Sequence, residues 1–163
     1  MNGKVKTIDV MEKIVAGLKA DGKKIVTTNG AFDILHAAHV SLFEKARAEG
    51  DVLIVLLNSD ASIKRYKGEK RPIVSEKERA DMLAALGNVD YVVIFDEDTP
   101  LNYLERLKPH LHAKGGTAVA ENVKKEVELL LKWNGQHKQF PLEEGFSTTN
   151  IIEKVIDAYV PLE

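Results

Sequence analysis

Six consecutive residues, Val52 to Leu57, are all aliphatic. A strand that is apolar at every position offers no face to water, so it belongs inside a parallel sheet covered on both sides. The run is far shorter than the ~20 residues a membrane helix requires. Its neighbours supply the cover. Apolar residues at 8, 11, 14, 15 and 18 follow the helical period, Asp21-Gly22 provides a stop, and the β-branched run Lys24 to Thr28 comes next as a strand. A second helical pattern through Val40, Phe43 and Ala46 leads to Gly50-Asp51 and the Val52 strand. The alternation continues with a helix over 75–86, a strand from Tyr91 to Phe95, a short helix over 101–107 and a strand from His110 to Lys114. A helix over 121–132, a brief strand near Lys138 to Phe140 and a closing helix striped by Ile151, Ile152, Val155, Ile156 and Tyr159 complete the chain. Strands alternating with helices predict an α/β fold with a three-layer, doubly wound parallel sheet. Such sheets bind ligands at the carboxyl ends of their strands, near the point where the strand order reverses. The turns after Thr28, Leu57, Phe95, Lys114 and Phe140 are therefore the places to look.

At 163 residues the chain reads as one domain, 1–163. Its 23 Lys plus Arg against 25 Asp plus Glu exclude a globally cationic nucleic-acid binder, and no nucleic-acid partner is expected. The absence of cysteine removes thiolate nucleophiles, disulfides and every zinc site that needs sulfur. The N-terminus carries lysines and no apolar signal core, so a cytoplasmic location without a membrane partner is expected.

Two phosphate-binding signatures fail on spacing. No two of the eleven glycines are separated by one residue, which removes the dinucleotide fingerprint. Neither Gly3-Lys4 nor Gly22-Lys23 is succeeded by the Ser or Thr of a Walker A loop. The first strand runs instead into Thr28-Asn29-Gly30-Ala31-Phe32-Asp33-Ile34-Leu35-His36-Ala37-Ala38-His39. Gly30 permits a tight turn, small residues at 37 and 38 allow close approach of a ligand, and the start of a helix offers free N–H groups to an anion. His36 and His39 are three apart, so both imidazoles lie on one side of a first helical turn. From spacing alone the pair could hold a phosphate or supply part of a metal site with Asp33 as third ligand; no H-E-x-x-H helix is present.

This segment resembles the T-x-G-x-F-D-x-x-H-x-G-H signature of the cytidylyltransferase-like nucleotidyltransferases. The resemblance runs through nearly the whole chain, on Asn58-Ser59-Asp60-Ala61-Ser62, Lys67-Gly68 with Arg71-Pro72, Arg79, Glu97-Asp98-Thr99-Pro100, Lys114-Gly115-Gly116 and Ser147-Thr148-Thr149-Asn150-Ile151-Ile152. It is nearest the branch that adenylates D-glycero-β-D-manno-heptose 1-phosphate. Cytidylyltransferases acting on glycerol 3-phosphate usually carry an Arg-Thr pair before the G-I-S-T-T segment, where this chain has Glu143-Glu144-Gly145-Phe146. Ala38 stands where the signature has glycine, and Thr117-Ala118 where the heptose enzymes commonly have Asp-Tyr. A nucleotide-binding protein without turnover is a third reading, raised by Ala38.

The resemblance implies a Rossmann-like nucleotidyltransferase fold and a direct attack of a sugar 1-phosphate on the α-phosphorus of ATP, with Mg²⁺ arriving with the nucleotide rather than in a dedicated protein cage. It assigns His36, His39 and Lys67 to catalysis. It assigns Thr28, Asn29, Gly30, Phe32, Arg71, Arg79, Ser147, Thr148 and Thr149 to the nucleotide and its phosphates, with Lys67, Arg71 and Arg79 as a mobile basic lid. Asp33, Asn58, Asp60, Lys114 and Gly115 are assigned to substrate, and a homodimer is expected. Residue chemistry adds that Phe32, Ile34 and Leu35 pack, that Ser147 to Thr149 cap the last helix, and that Lys64 and Lys70 are solvated in a flexible basic loop.

Overall fold

The computed structural model describes residues 3–116, 120–141 and 145–160. Thr117-Ala118 and Glu143-Glu144, which bear on the choice of substrate, lie outside the described residues. Strands β1 (Ile25–Gly30), β2 (Val52–Asn58), β3 (Tyr91–Phe95), β4 (Leu111–Gly115) and β5 (Gln136–Phe140) form one sheet. Helices α1 (Ile8–Ala20), α2 (Ala37–Arg47), α3 (Asp60–Lys67), α4 (Glu76–Ala85), α5 (Leu101–Leu107), α6 (Ala120–Leu131) and α7 (Thr148–Tyr159) alternate with them.

The strands are parallel in the order β3-β2-β1-β4-β5. Every residue of β2 is buried, as its unbroken apolar run requires. Ile25 to Gly30 register against Val52 to Leu57, and Val26 to Thr28 against Leu111 to Ala113. On one face of the sheet Val26, Val55 and Leu111 pack with Leu42, Phe43 and Ala46 of α2 and Leu83 of α4. On the other face Ile25, Ile54 and Leu56 pack with Met11 and Val15 of α1 and Leu104 and Leu107 of α5. Burying a side chain such as Met11 or Val15 is worth about 1.5–3 kcal/mol over leaving it in water. The strand order reverses between β1 and β4, so the crevice above their carboxyl ends is the expected ligand position.

The boundaries obey local chemistry. Thr7 accepts a hydrogen bond from the Val10 N–H at the start of α1, and Gly22 at φ 74° closes its end. Helix α4 opens on a capping box between Ser75 and Glu78. One element departs from expectation: the first half of the basic run is not a loop. Ser59 caps α3 by accepting from the Ser62 N–H at 3.0 Å, Asp60 lies in the first turn, and Lys64, Arg65 and Lys67 fall in the last, where the helix dipole favours cations. Strand β5 is polar along most of its length, and α7 buries none of its residues against the sheet.

Two glycines give opposite expectations for one chemical change. A Cβ at Gly50 would meet the Lys24 carbonyl oxygen at 2.8 Å, whereas one at Gly17, inside α1, would meet nothing within 4 Å. Gly50→Ala is expected to destabilise by about 1–3 kcal/mol. Gly17→Ala is expected to stabilise by up to about 1 kcal/mol. Urea unfolding midpoints of both variants check the pair of signs.

Candidate active site

The turn after β1 holds two of the non-glycine residues with positive φ among the described residues. Phe32 and Ile34 adopt φ of 46° and 54°. Positive φ is costly for an aromatic residue and more so for a β-branched one, and such strain persists where the surroundings enforce it. Asp33, between them, is the enforcing group. Its carboxylate accepts from Arg71 Nε at 2.7 Å and from the backbone N–H groups of Ile73 at 2.9 Å and Val74 at 3.0 Å. Burial alone would raise this carboxyl's pKa, yet the Ile73 and Val74 amides and Arg71 outweigh it and hold it below the ordinary aspartate value. Asp33 is therefore a structural tie between the turn and the segment after α3, with three hydrogen bonds accepted within the protein. It lines the cleft as well, so this tie forms part of the wall at which substrate contact is expected.

Helix α2 begins immediately after the turn with His36 as its N-cap. His36 and His39 stack at 3.7 Å between ring centroids, and the Phe32 ring meets His39 edge-on at 5.3 Å and Phe43 at 4.9 Å. Phe32 thus packs, as expected, while its turn also borders the cleft. Burial lowers the pKa of His36; burial, His36 and Lys67 together take His39 to about 4. Both imidazoles are neutral at pH 7 in the protein alone. Each then offers one N–H and one lone pair, and which nitrogen carries the proton is set by the partner the ring meets. Ala38 lies within helical backbone, outside the positive-φ residues, so its methyl costs no strain there.

A cleft of about 190 Å³ opens here, lined by Asn29 to Asp33, Ala38, His39 and Leu42 from one side, Lys67 and Arg71 from a second, and Lys114, Gly115 and Thr148 from a third. Burial and the nearby Arg71 lower the pKa of Lys67. Four buried side-chain atoms have no hydrogen-bond partner among the described residues: Thr28 Oγ1, His36 Nδ1, His39 Nδ1 and Arg71 Nη2. All four belong to the strand end, turn, helix start and basic segment that frame this cleft. Buried polar groups are nearly always paired, so a cluster of unpaired ones marks where an external partner belongs.

Other assigned residues sit differently. Ser147 caps α7 by accepting from the Asn150 N–H at 3.0 Å, and Thr148 Oγ1 donates to the Asp33 carbonyl at 2.7 Å, so the cap reading holds and α7 is tied to the turn. Thr149 is exposed and does not line the cleft. Asn58 donates its amide to Ser62 Oγ at 3.0 Å. Arg79 is corrected from lid cation to buried joint: it is 1% exposed, and it donates to the carbonyls of Val74, Ala31 and Asn58 and to the Asp60 carboxylate, all within 2.9 Å. Asp60 is engaged by Arg79 through one carboxylate oxygen and keeps about a third of its side chain exposed. Lys64 and Lys70 are exposed, as expected, whereas Arg65 pairs with Asp98 at 2.8 Å.

A second cavity, of about 50 Å³, flanks the first. It is lined by Asn29, Asp98 to Leu101, Lys114, Asn122, Lys125 and Glu126, and so shares Asn29 and Lys114 with the cleft. Beneath it runs a polar network that spacing does not reveal. Lys114 Nζ donates to Asn29 Oδ1 at 2.7 Å and to Glu126 Oε1 at 2.6 Å; His137 Nε2 lies 3.0 Å from Glu126 Oε2, and His112 joins Thr27 Oγ1 at 2.8 Å to Asn29 Oδ1 at 3.2 Å. Burial pushes His112 down to about 3, while burial of Glu126 is outweighed by His137, His112 and Lys114, which take it to about 2. The period-2 positions 27 and 29, and 112 and 114, are the available signal. Among the described residues no group of three or more His, Cys, Asp or Glu side chains is placed to hold a metal ion, and no helix is long and apolar enough to cross a membrane.

A parallel sheet with its polar, strained cleft at the strand-order reversal defines a phosphate- or nucleotide-binding α/β protein. The Cytidylyltransferase-like family profile matches residues 27–154, and the chain belongs to that family. It is 51% identical over 158 residues to the bifunctional protein HldE of Geobacter sulfurreducens, covering 97% of this chain and 32% of that one. It is 50% identical over 145 residues to the bifunctional protein HldE of Helicobacter pylori, covering 89% and 30%. The chain thus spans about a third of the length of the curated relatives it matches. Among solved structures, a lipopolysaccharide core biosynthesis protein from Thermoplasma volcanium superposes with a TM-score of 0.62 at 26% identity, over 75% of this chain and 98% of that one. A pantoate-β-alanine ligase from Francisella tularensis shares the fold, with a TM-score of 0.63 at 17% identity, over 98% of this chain and 79% of that one.

The buried ions and histidines also bear on stability. Arg79→Met strands three carbonyl oxygens and the Asp60 carboxylate, and a loss of about 3 kcal/mol or more is expected from urea unfolding. Because His39 and His112 resist protonation when folded, the unfolded chain binds more protons below its ordinary histidine pKa of ~6.5, and stability falls as pH drops from there. Glu126, depressed to about 2, keeps its contribution above its ordinary value of 4.5, so it does not mask the histidines between pH 6.5 and 4.5. His112→Asn should make the fall of melting temperature over that interval shallower.

Proposed function

We propose that the protein is a nucleotidyltransferase that moves AMP from ATP to a sugar 1-phosphate, D-glycero-β-D-manno-heptose 1-phosphate, giving ADP-heptose and pyrophosphate. The observation that carries the reading is the set of buried, unpaired polar atoms of Thr28, His36, His39 and Arg71 around one cleft. In the proposed step a phosphate oxygen of the sugar attacks the α-phosphorus of ATP, the bond to the bridging oxygen breaks, and pyrophosphate leaves with the electron pair. No covalent enzyme intermediate is formed, so the protein supplies position and oriented donors. Mg²⁺ enters as part of the nucleotide substrate.

His36 and His39 donate hydrogen bonds to the phosphates undergoing change, and Lys67 and Arg71 add positive charge from the opposite wall. Arg71 is pre-aimed because its Nε is held by Asp33 while its Nη2 is unpaired. Beside the cleft, Asn29, Thr99 and Asn122 at the small second cavity are residues whose side chains can hydrogen-bond the hydroxyl groups of an acceptor. Relatedness at about half identity to bifunctional HldE proteins supports the heptose branch. A homodimer forms part of the proposal, supported by the exposed Val155, Ile156 and Tyr159 on α7. A cytoplasmic location is likewise proposed, and the cysteine-free composition supports it.

The test measures pyrophosphate release with ATP and with CTP, each against a panel of sugar 1-phosphates and glycerol 3-phosphate. Release with ATP and the heptose phosphate is expected; release with CTP alone overturns the adenylyl assignment. His39→Ala and His36→Ala should remain folded by circular dichroism and lose about 10²-fold or more in turnover, the scale for removing one transition-state donor.

A further inference from the structure

We propose that Glu126, a residue outside every motif of the chain, is a positioning residue that aims the Lys114 ammonium at the nucleotide phosphates. The proposal rests on the nucleotidyl-transfer reading given above. Lys114 lies on the wall shared by the two cavities. An ammonium has three N–H donors. Two are committed, one to Asn29 Oδ1 at 2.7 Å and one to Glu126 Oε1 at 2.6 Å, so the direction of the third is set by those two bonds. Glu126 is itself fixed: its side chain is 2% exposed and its other oxygen is held by His137 Nε2 at 3.0 Å. Asn29, the second anchor, is part of the cleft wall and is braced by His112 at 3.2 Å.

The chemistry argues against a purely structural pair. Burying a carboxylate and an ammonium together is costly, and apolar residues of similar volume commonly stabilise a core as well or better. Here the carboxylate is deep and the ammonium sits at the cavity boundary with 15% of its side chain exposed. A flexible lysine left free would spread its charge over many rotamers; held at two points, it presents one donor to a phosphate oxygen with little further loss of entropy. Glu126 thereby acts on the ligand only through Lys114.

That dependence is testable by coupling. The dissociation constant of a non-hydrolysable ATP analogue with Mg²⁺ is measured by calorimetry for the wild-type protein, Glu126→Gln, Lys114→Met and the double variant, alongside each melting temperature. Each single variant is expected to weaken binding about 10-fold, the scale of a hydrogen bond to a charged group. The double variant should be no more than about 2-fold weaker than Lys114→Met alone, because the glutamate has nothing left to position. A folded Glu126→Gln protein with wild-type affinity, or effects that multiply in the double variant, overturns the proposal. A fall in melting temperature with unchanged affinity does the same, since that is what a structural pair predicts. Should Glu126→Gln fail to fold, His137→Gln, which releases only the far carboxylate oxygen, replaces it in the same cycle with the same criteria. Absence of analogue binding by the wild-type protein overturns the nucleotide reading and this one together, whereas binding with an uncoupled pair sinks this one alone.

Discussion

The guanidinium of Arg79 joins the pieces from which the site is built. It donates to the backbone of the turn after β1 at Ala31, of the end of β2 at Asn58 and of the approach to α4 at Val74, and it pairs with Asp60 at the start of α3. Loops at the carboxyl end of a parallel sheet carry backbone polar groups that no ladder satisfies. One planar cation with five donors in a fixed fork satisfies several of them at once and sets their mutual spacing. Asp33 repeats the device with the sign reversed, one carboxylate collecting Arg71 and the amides of Ile73 and Val74. Between these two buried ions the turn carrying Phe32 and Ile34 has little freedom to relax its positive φ values.

That rigidity explains why unpaired polar atoms can exist here. A mobile turn would rotate Thr28, His36 or His39 toward any available partner, or admit water to them. Held by packing of Phe32 on Phe43 and by ring stacking, they keep their donors and acceptors uncommitted until a ligand supplies the complement. The cost falls on the fold, through strain and unsatisfied groups, rather than on the moment of reaction.

The course of the chain is legible in the sequence to the extent that it rests on local pattern. The unbroken aliphatic run at 52–57 announces a buried parallel strand, and helical periodicity finds α1, α4 and α6 to within a few residues. Helix α3 is obscured because its basic last turn reads as a loop, although Ser59 ahead of Asp60 is a cap signal. The Thr28 to His39 segment is also local and points directly at the cleft. Arg79 deceives because the resemblance groups it with phosphate-binding cations, and nothing nearby in sequence tells that its partners are carbonyls up to 48 residues away. The network of Thr27, Asn29, His112, Lys114, Glu126 and His137 is harder still. Its members are scattered over β1, β4, α6 and β5 and become neighbours only through the register of the sheet.

The neutrality of the two histidines changes what kind of binding surface the cleft is. Arg71 is matched by Asp33 and Lys114 by Glu126, while His36 and His39 carry no charge at pH 7, so Lys67 stands as the cleft's uncompensated cation among the described lining residues. A surface of that kind holds an anion through a few aimed donors, Lys67 and Arg71 among them, rather than through a broad excess of cations. It reads a ligand by the directions of its hydrogen bonds, a quantity that dissolved salt barely screens.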